Sequence, residues 1–168
     1  MTTHIKITFL LITASAFILT ACAPVLSDKS LREANLSISF QDIQKNPDAY
    51  IGKVVILGGR IISTTAKKDE TWVEVLQQPL DHQYKPENSD TSYGRFIIVF
   101  RGFMDPAIYA PARRITVAGE VTGKKILPIK EIQYTYPVLA VREHALFGPE
   151  DYNNDPRFHF GLGLGIIR

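Results

Sequence analysis

Apolar residues fall into two kinds of pattern along this chain, and the change between them comes at Gly52. Ahead of it, Phe40 and Ile43 stand three apart behind Ser39, with Asp42 in the first turn and Pro47 as a stop. Serine is a good helix N-cap, an acidic first turn suits the helix dipole, and proline turns its predecessor away from helical angles. One short helix is predicted there. Beyond Gly52 come short runs rich in β-branched residues: Val54-Val55-Ile56-Leu57, Trp72-Val73-Glu74-Val75-Leu76, Phe96-Ile97-Ile98-Val99-Phe100, Ile115-Thr116-Val117-Ala118 and Tyr134-Thr135-Tyr136-Pro137-Val138-Leu139. Runs of that length between turn residues predict strands. Gly58-Gly59 inside the first run predicts a bulge or sharp bend, as where one long strand serves both sides of a small barrel. Pro137 has no N–H for a ladder, so the last strand must be an edge or break there.

The fold class follows as mainly β: a small five- to six-stranded OB-like Greek-key barrel with one short N-terminal helix, over residues 38–147. Sandwiches usually draw on more strands. The polar connection 77–93 holds Pro79, Asp81, His82, Tyr84, Pro86, Glu87 and Asp90, and a loop of that length is either functional or mobile.

The ends of the chain follow other rules. Lys6 precedes an apolar stretch, 7–19, of 13 residues. A bilayer takes roughly 20. Leu19-Thr20-Ala21-Cys22 then ends the stretch with the sole cysteine of the chain. This is the plan of a secretory signal closed by a lipobox, with residues 1–21 removed and Cys22 acylated. A retained membrane helix is one alternative. Ordinary signal-peptidase cleavage is another, since Ala21-Cys22-Ala23 is also small-x-small. Acylation accounts for an unpaired thiol in an exported chain, and two or three acyl chains hold where one is marginal. The expected partner is therefore a membrane, through a lipid anchor at Cys22, with 22–37 as a tether. In the tail, 148–168, Phe158, Phe160, Leu162, Leu164 and Ile166 alternate with His159, Gly161, Gly163, Gly165 and Ile167. At strand period that gives one bulky face and one nearly bare face. It suits an adhesive strand for a protein partner, a second copy or the lipid surface; docking on its own barrel, or disorder, is the alternative.

Beyond Cys22 lie 146 residues (168 less 22), with 18 Lys+Arg (19 less Lys6) against 17 Asp+Glu. That is one domain's length. So even a balance excludes nucleic acid as the partner, which needs clustered basic charge. Chemistry is sparse. His4, His82, His144 and His159 are isolated in sequence, without metal-ligand spacing, and read as a leader residue and scattered surface histidines. No nucleophile elbow or phosphate-binding glycine loop occurs. Asp81, Glu87 and Asp90 read as solvated loop carboxylates rather than an acid–base pair. Catalytic residues, metal ligands and cofactors are accordingly expected to be none. Glu74 stands out, mid-strand on one face with Trp72 and Leu76. A buried carboxylate needs a cation, and Arg95 or Arg114 can supply it. Either an ion pair inside or at the rim of the barrel results, or a charged point at the floor of a binding groove.

The ordered motifs carry a resemblance. They are the lipobox, Asn46-Pro47, Tyr50-Ile51-Gly52-Lys53-Val54-Val55, Gly58-Gly59, Thr71-Trp72-Val73-Glu74-Val75-Leu76, Pro79-Leu80-Asp81 and Gly94-Arg95-Phe96. Gly102-Phe103-Met104-Asp105-Pro106, Tyr109, Arg114-Ile115-Thr116-Val117-Ala118-Gly119 and Tyr134, Tyr136-Pro137 follow. From Cys22 to about His144 the chain resembles the Slp family of starvation-inducible outer membrane lipoproteins of Gram-negative bacteria. That resemblance implies outer membrane attachment, induction under starvation or stress, and no known enzymatic activity. Ala23 after the cysteine agrees with outer membrane sorting. Arg113 departs from the family pattern, where a glycine is expected. The resemblance brings no ligand-binding residues. The function expected is a non-enzymatic structural or binding role in the stressed envelope; the alternative is an OB-like periplasmic module for a peptide or saccharide, with its groove near the 77–93 loop.

Overall fold

The computed structural model describes residues 25–148, so the leader, Cys22 and residues 149–168 lie outside what is described. Within it, strands β1 (Val54–Ala66), β2 (Glu70–Gln77), β3 (Arg95–Arg101), β4 (Arg114–Ile129) and β5 (Ile132–Phe147) form a closed barrel. Its order around the ring is β1-β2-β3-β5-β4, with β3 and β5 the one parallel pair. This is the mainly β, five-stranded barrel that the apolar runs predict.

Closure depends on the long first strand. Over Val54 to Arg60 β1 pairs with β4, and over Gly59 to Ala66 with β2. The register shifts between Ile61 and Ser63, just past the glycine pair. A Cβ on Gly59 would run into the Leu76 carbonyl, so close strand approach rather than turn geometry demands glycine there. The barrel interior is apolar: Val73, Val75, Phe96, Ile98, Ile115 and Val117 are all buried.

Each end of the barrel is plugged. Helix α2 (Phe40–Lys45) forms where Ser39 predicts it, with a full capping box between Ser39 and Asp42. Phe40 and Ile43 enter the core, Phe40 lying 5.9 Å from the Phe96 ring. At the other end the 102–113 connection folds inward. Tyr109 stacks edge-on to Phe100 at 5.3 Å, and its carbonyl accepts from Thr64 Oγ1 at 2.6 Å. Thr71 Oγ1 donates to Gly102 O and accepts from Met104 N, both at 2.9 Å.

Two features differ from the sequence-based expectation. A second helix, α1 (Asp28–Glu33), lies within the stretch read as a tether. Leu26 is 3% exposed, and the Glu143 carboxylate on β5 accepts from Ser27 N at 2.9 Å, Ser27 Oγ at 2.6 Å and Ser30 Oγ. These polar contacts cross 113 to 116 residues of sequence, so no local pattern announces them. Second, β4 and β5 are paired along their whole length, from Arg114 with Phe147 to Ile129 with Ile132. Only Val138 to Ala140 of β5 also pairs with β3. The distal parts therefore project as a two-stranded arm, in which β5 is an edge strand at Pro137, opposite Lys124 and just before the parallel pairing starts.

Candidate functional site

Strand β2 alternates strictly, with Thr71, Val73, Val75 and Gln77 buried and Trp72, Glu74 and Leu76 on the outer face. The arm folds over that outer face. Ile97, Tyr136 and Val138 form a second apolar cluster there, with Trp72, Val99, Ile129 and Tyr134 packed against it. Between arm and barrel remains a groove of about 300 Å³. Ser63, Thr65 and Lys67 line its β1 side, Trp72, Glu74 and Ile97 its base, and Leu127, Pro128 and Tyr136 its roof.

Glu74 is the polar hub. One oxygen accepts from Arg95 Nη1 and from Tyr136 Oη, each at 2.9 Å, and the other from Ser63 Oγ at 3.2 Å. Burial works against the Arg95 charge, yet the Glu74 hydrogen bond and charge outweigh it and hold the guanidinium pKa above its usual value. Burial, and then the same carboxylate, raise the Tyr136 phenol, which stays a donor. Trp72 is fixed by Nε1 donating to Glu70 Oε1 at 2.6 Å, with Lys67 Nζ 3.2 Å from its ring centroid. Lys125 on the arm lies 5.8 Å from the same ring. The result is an aromatic plate, three hydroxyls and a paired carboxylate in one concave place. Such groups hold a polar ligand by stacking and hydrogen bonding.

Of the residues singled out in sequence, Glu74 and Arg95 are brought together, on the outer face of the barrel. Arg114 is not with them; its Nη2 donates to Asn88 Oδ1. The groove itself is not near the 77–93 loop but between the β1–β2 turn and the β4–β5 arm. The 77–93 loop is packed down instead: Gln78 Nε2 donates to Ser89 O at 2.7 Å, Thr116 Oγ1 to Tyr84 O at 2.6 Å, and Tyr93 N to Gln77 Oε1 at 3.1 Å. Asp81 Oδ1 accepts from Gln83 N and Lys85 N, so its carboxylate organises a turn. His144 is no surface histidine. Its Nε2 lies 2.8 Å from Tyr109 Oη and its ring 5.0 Å from Phe100, and burial lowers its pKa. His159 and Cys22 lie outside the described residues.

Sequence reasoning missed Lys67, Tyr136 and the arm residues, though Trp72 and Glu74 on one face did mark the base. A larger cleft of about 890 Å³ runs between α1 and the β3–β5 side. Its charges answer one another, Arg142 reaching Glu120 at 2.7 Å and Glu33 at 3.3 Å. It offers no aromatic surface, so the smaller groove is the better candidate.

This mixture of a small barrel and a hydroxyl-lined groove can be placed among known proteins. A family model described as the outer membrane lipoprotein Slp family matches residues 19–162. An uncharacterized protein of Haemophilus influenzae is 36% identical over 144 residues, which cover 84% of this chain and 76% of that protein. The outer membrane protein Slp of Escherichia coli K12 is 28% identical over 127 residues, covering 75% of this chain and 67% of its own length. No solved structure matches. The chain belongs to the outer membrane lipoprotein Slp family, and its place is the outer membrane.

Proposed function

We propose that this protein is a non-enzymatic binding component of the cell envelope, produced under starvation or stress and held to the outer membrane by acyl chains on Cys22. The lipobox-like leader and the family support the anchor. The observation that carries the binding role is the groove at Trp72, Glu74 and Tyr136. It occupies the β2–β3 face between the β1–β2 turn and the β4–β5 arm, the region with which OB barrels hold oligosaccharides and oligonucleotides. Near-neutral charge argues against nucleic acid, which leaves an envelope saccharide or peptide as the ligand class.

Trp72 is the sole tryptophan of the chain, so its emission reports on the groove directly. Titration with cell-wall saccharides and with envelope peptides should give a saturable change with one of them. Tyr136→Phe and Glu74→Gln should each weaken that response. No saturable change with either class, or a response that ignores both substitutions, would overturn the binding role.

A further inference from the structure

The chain leaves the barrel toward Cys22 with almost no slack. Val25 N donates to Gln83 O at 3.3 Å, Leu26 is buried, and Ser27 is held by Glu143. Only Ala23 and Pro24 stand between Val25 and Cys22. Three Cα steps of 3.8 Å span at most about 11 Å. If Cys22 is acylated, the reading on which this inference rests, its sulfur lies at the lipid surface. The β2–β3 loop at Gln83 must then lie near that surface as well.

The chemistry of that corner fits. Lys85 Nζ lies 5.6 Å from the Phe147 ring, and Arg113 Nε donates to Phe147 O at 3.2 Å. Arg114 is in register with Phe147 on the neighbouring strand. Three cations thus gather around Phe147, with the exposed Ile108 beside them, its carbonyl accepting from Arg113 Nη1 at 2.8 Å. The Asp81 carboxylate in the same loop is turned onto backbone N–H groups, while Glu87 and Asp90 are exposed negative charges further along the loop. Clustered Lys and Arg near a bilayer are drawn to its phosphates. Gly148 follows Phe147, so the C-terminal chain also starts from this corner.

The groove lies elsewhere on the barrel. The loop packs over the β1–β4 seam, Gln78 N donating to Gly58 O at 3.0 Å and Thr116 Oγ1 to Tyr84 O. In the ring order the β2–β3 seam, with the groove, is across from it. The tip of the arm at Ile132 is fifteen residues of β5 from Phe147, up to roughly 50 Å for a straight strand.

We propose that the β2–β3 loop at His82 to Lys85, with Arg113 and Arg114, is the face that rests on the bilayer, and that the β4–β5 arm and its groove point away from it. The anchor is a short pin that orients the domain, leaving the groove open to ligand.

The test uses the full mature protein in vesicles of phosphatidylethanolamine and phosphatidylglycerol. With Cys22 acylated, an introduced cysteine is the sole thiol to label. A fluorophore on His82→Cys should be quenched several-fold more by headgroup nitroxides than one on Glu131→Cys at the arm tip. Both positions are exposed, so the fold should tolerate them. A flexible ten-residue insertion between Pro24 and Val25 should remove the difference without releasing the protein from vesicles. Equal quenching at both positions in protein that floats with the vesicles would overturn the orientation alone. Protein that stays behind, with a bare Cys22 thiol, would overturn the anchor and the orientation with it.

Discussion

On its inward face β2 presents Thr71, Val73 and Val75, all at 0% exposure, to an apolar barrel core. On its outward face it presents Trp72 and Glu74, half-buried beneath the arm and held by an indole–carboxylate bond and an ion pair. The same strand thus serves two interiors built on different principles. The inner one is packed hydrocarbon, where stability scales with filled volume. The outer one is assembled from directed polar contacts around a concavity, and can give up contacts without the barrel unfolding. Stability rests on the inner face of the strand, and the proposed binding on its outer face.

Substitutions can sharpen or break that division. The largest effects belong to the inner face. Ile98→Ala should lower unfolding stability by about 3–4 kcal/mol, as buried isoleucines do, read by chemical denaturation. Gly59→Ala should cost about 3 kcal/mol through the clash with the Leu76 carbonyl. Neither should change ligand response at Trp72 while the protein remains folded. If either left the unfolding midpoint in place, the tight β1–β2 approach or the packed core would be wrong.

Outer-face effects are smaller in stability. Glu74→Ala leaves Arg95 and Tyr136 without their shared acceptor and should destabilise by about 1–2 kcal/mol. Arg95→Ala in the same background should add little, because the two act as a pair. Unchanged thermal unfolding of Glu74→Ala would discard the pairing.

The smallest effects come with acid. Burial depresses the His144 pKa below its ordinary 6.5. Between the folded and unfolded values the unfolded chain binds more protons, so stability is full above about pH 6.5 and declines as pH falls below it. His144→Phe should flatten that slope. Glu143 follows at lower pH. Hydrogen bonds from Ser27 and then Ser30 hold its pKa below its ordinary 4.5. Its contribution is present above the unfolded pKa and is lost as pH falls through the folded one. Amide protection factors at Ser27 to Ser30, with the intrinsic pH dependence of exchange divided out, should fall in that acid window and stay level with pH in Glu143→Gln. Protection factors that stay flat across that window in the parent protein would remove Glu143 as the clamp on α1.

The division between the two interiors also explains what could be read from sequence. The strands are runs rich in β-branched and aromatic residues, so all five strands, a long first strand that shifts register near Gly58-Gly59 and the Ser39-capped helix were legible. That Glu74 needs a cation was legible too, since a mid-strand carboxylate demands one, but sequence left Arg95 and Arg114 equal and the fold selects Arg95. The arm was not, because Thr122-Gly123-Lys124-Lys125 is polar and exposed apart from its glycine, and Pro128 breaks the strand signal. Burial of Trp72 by that arm is a tertiary event without local periodicity. The docked α1 was hidden for the same reason, being held by serine hydroxyls on a carboxylate far along the chain.

The proposed acyl anchor at Cys22 is what the proposed orientation of the barrel rests on. Intact mass spectrometry of the protein extracted from its native outer membrane tests it most directly. The expected species begins at Cys22 and carries the added mass of two or three acyl chains. A species retaining residues 1–21, or one with a free Cys22 thiol, would contradict the account.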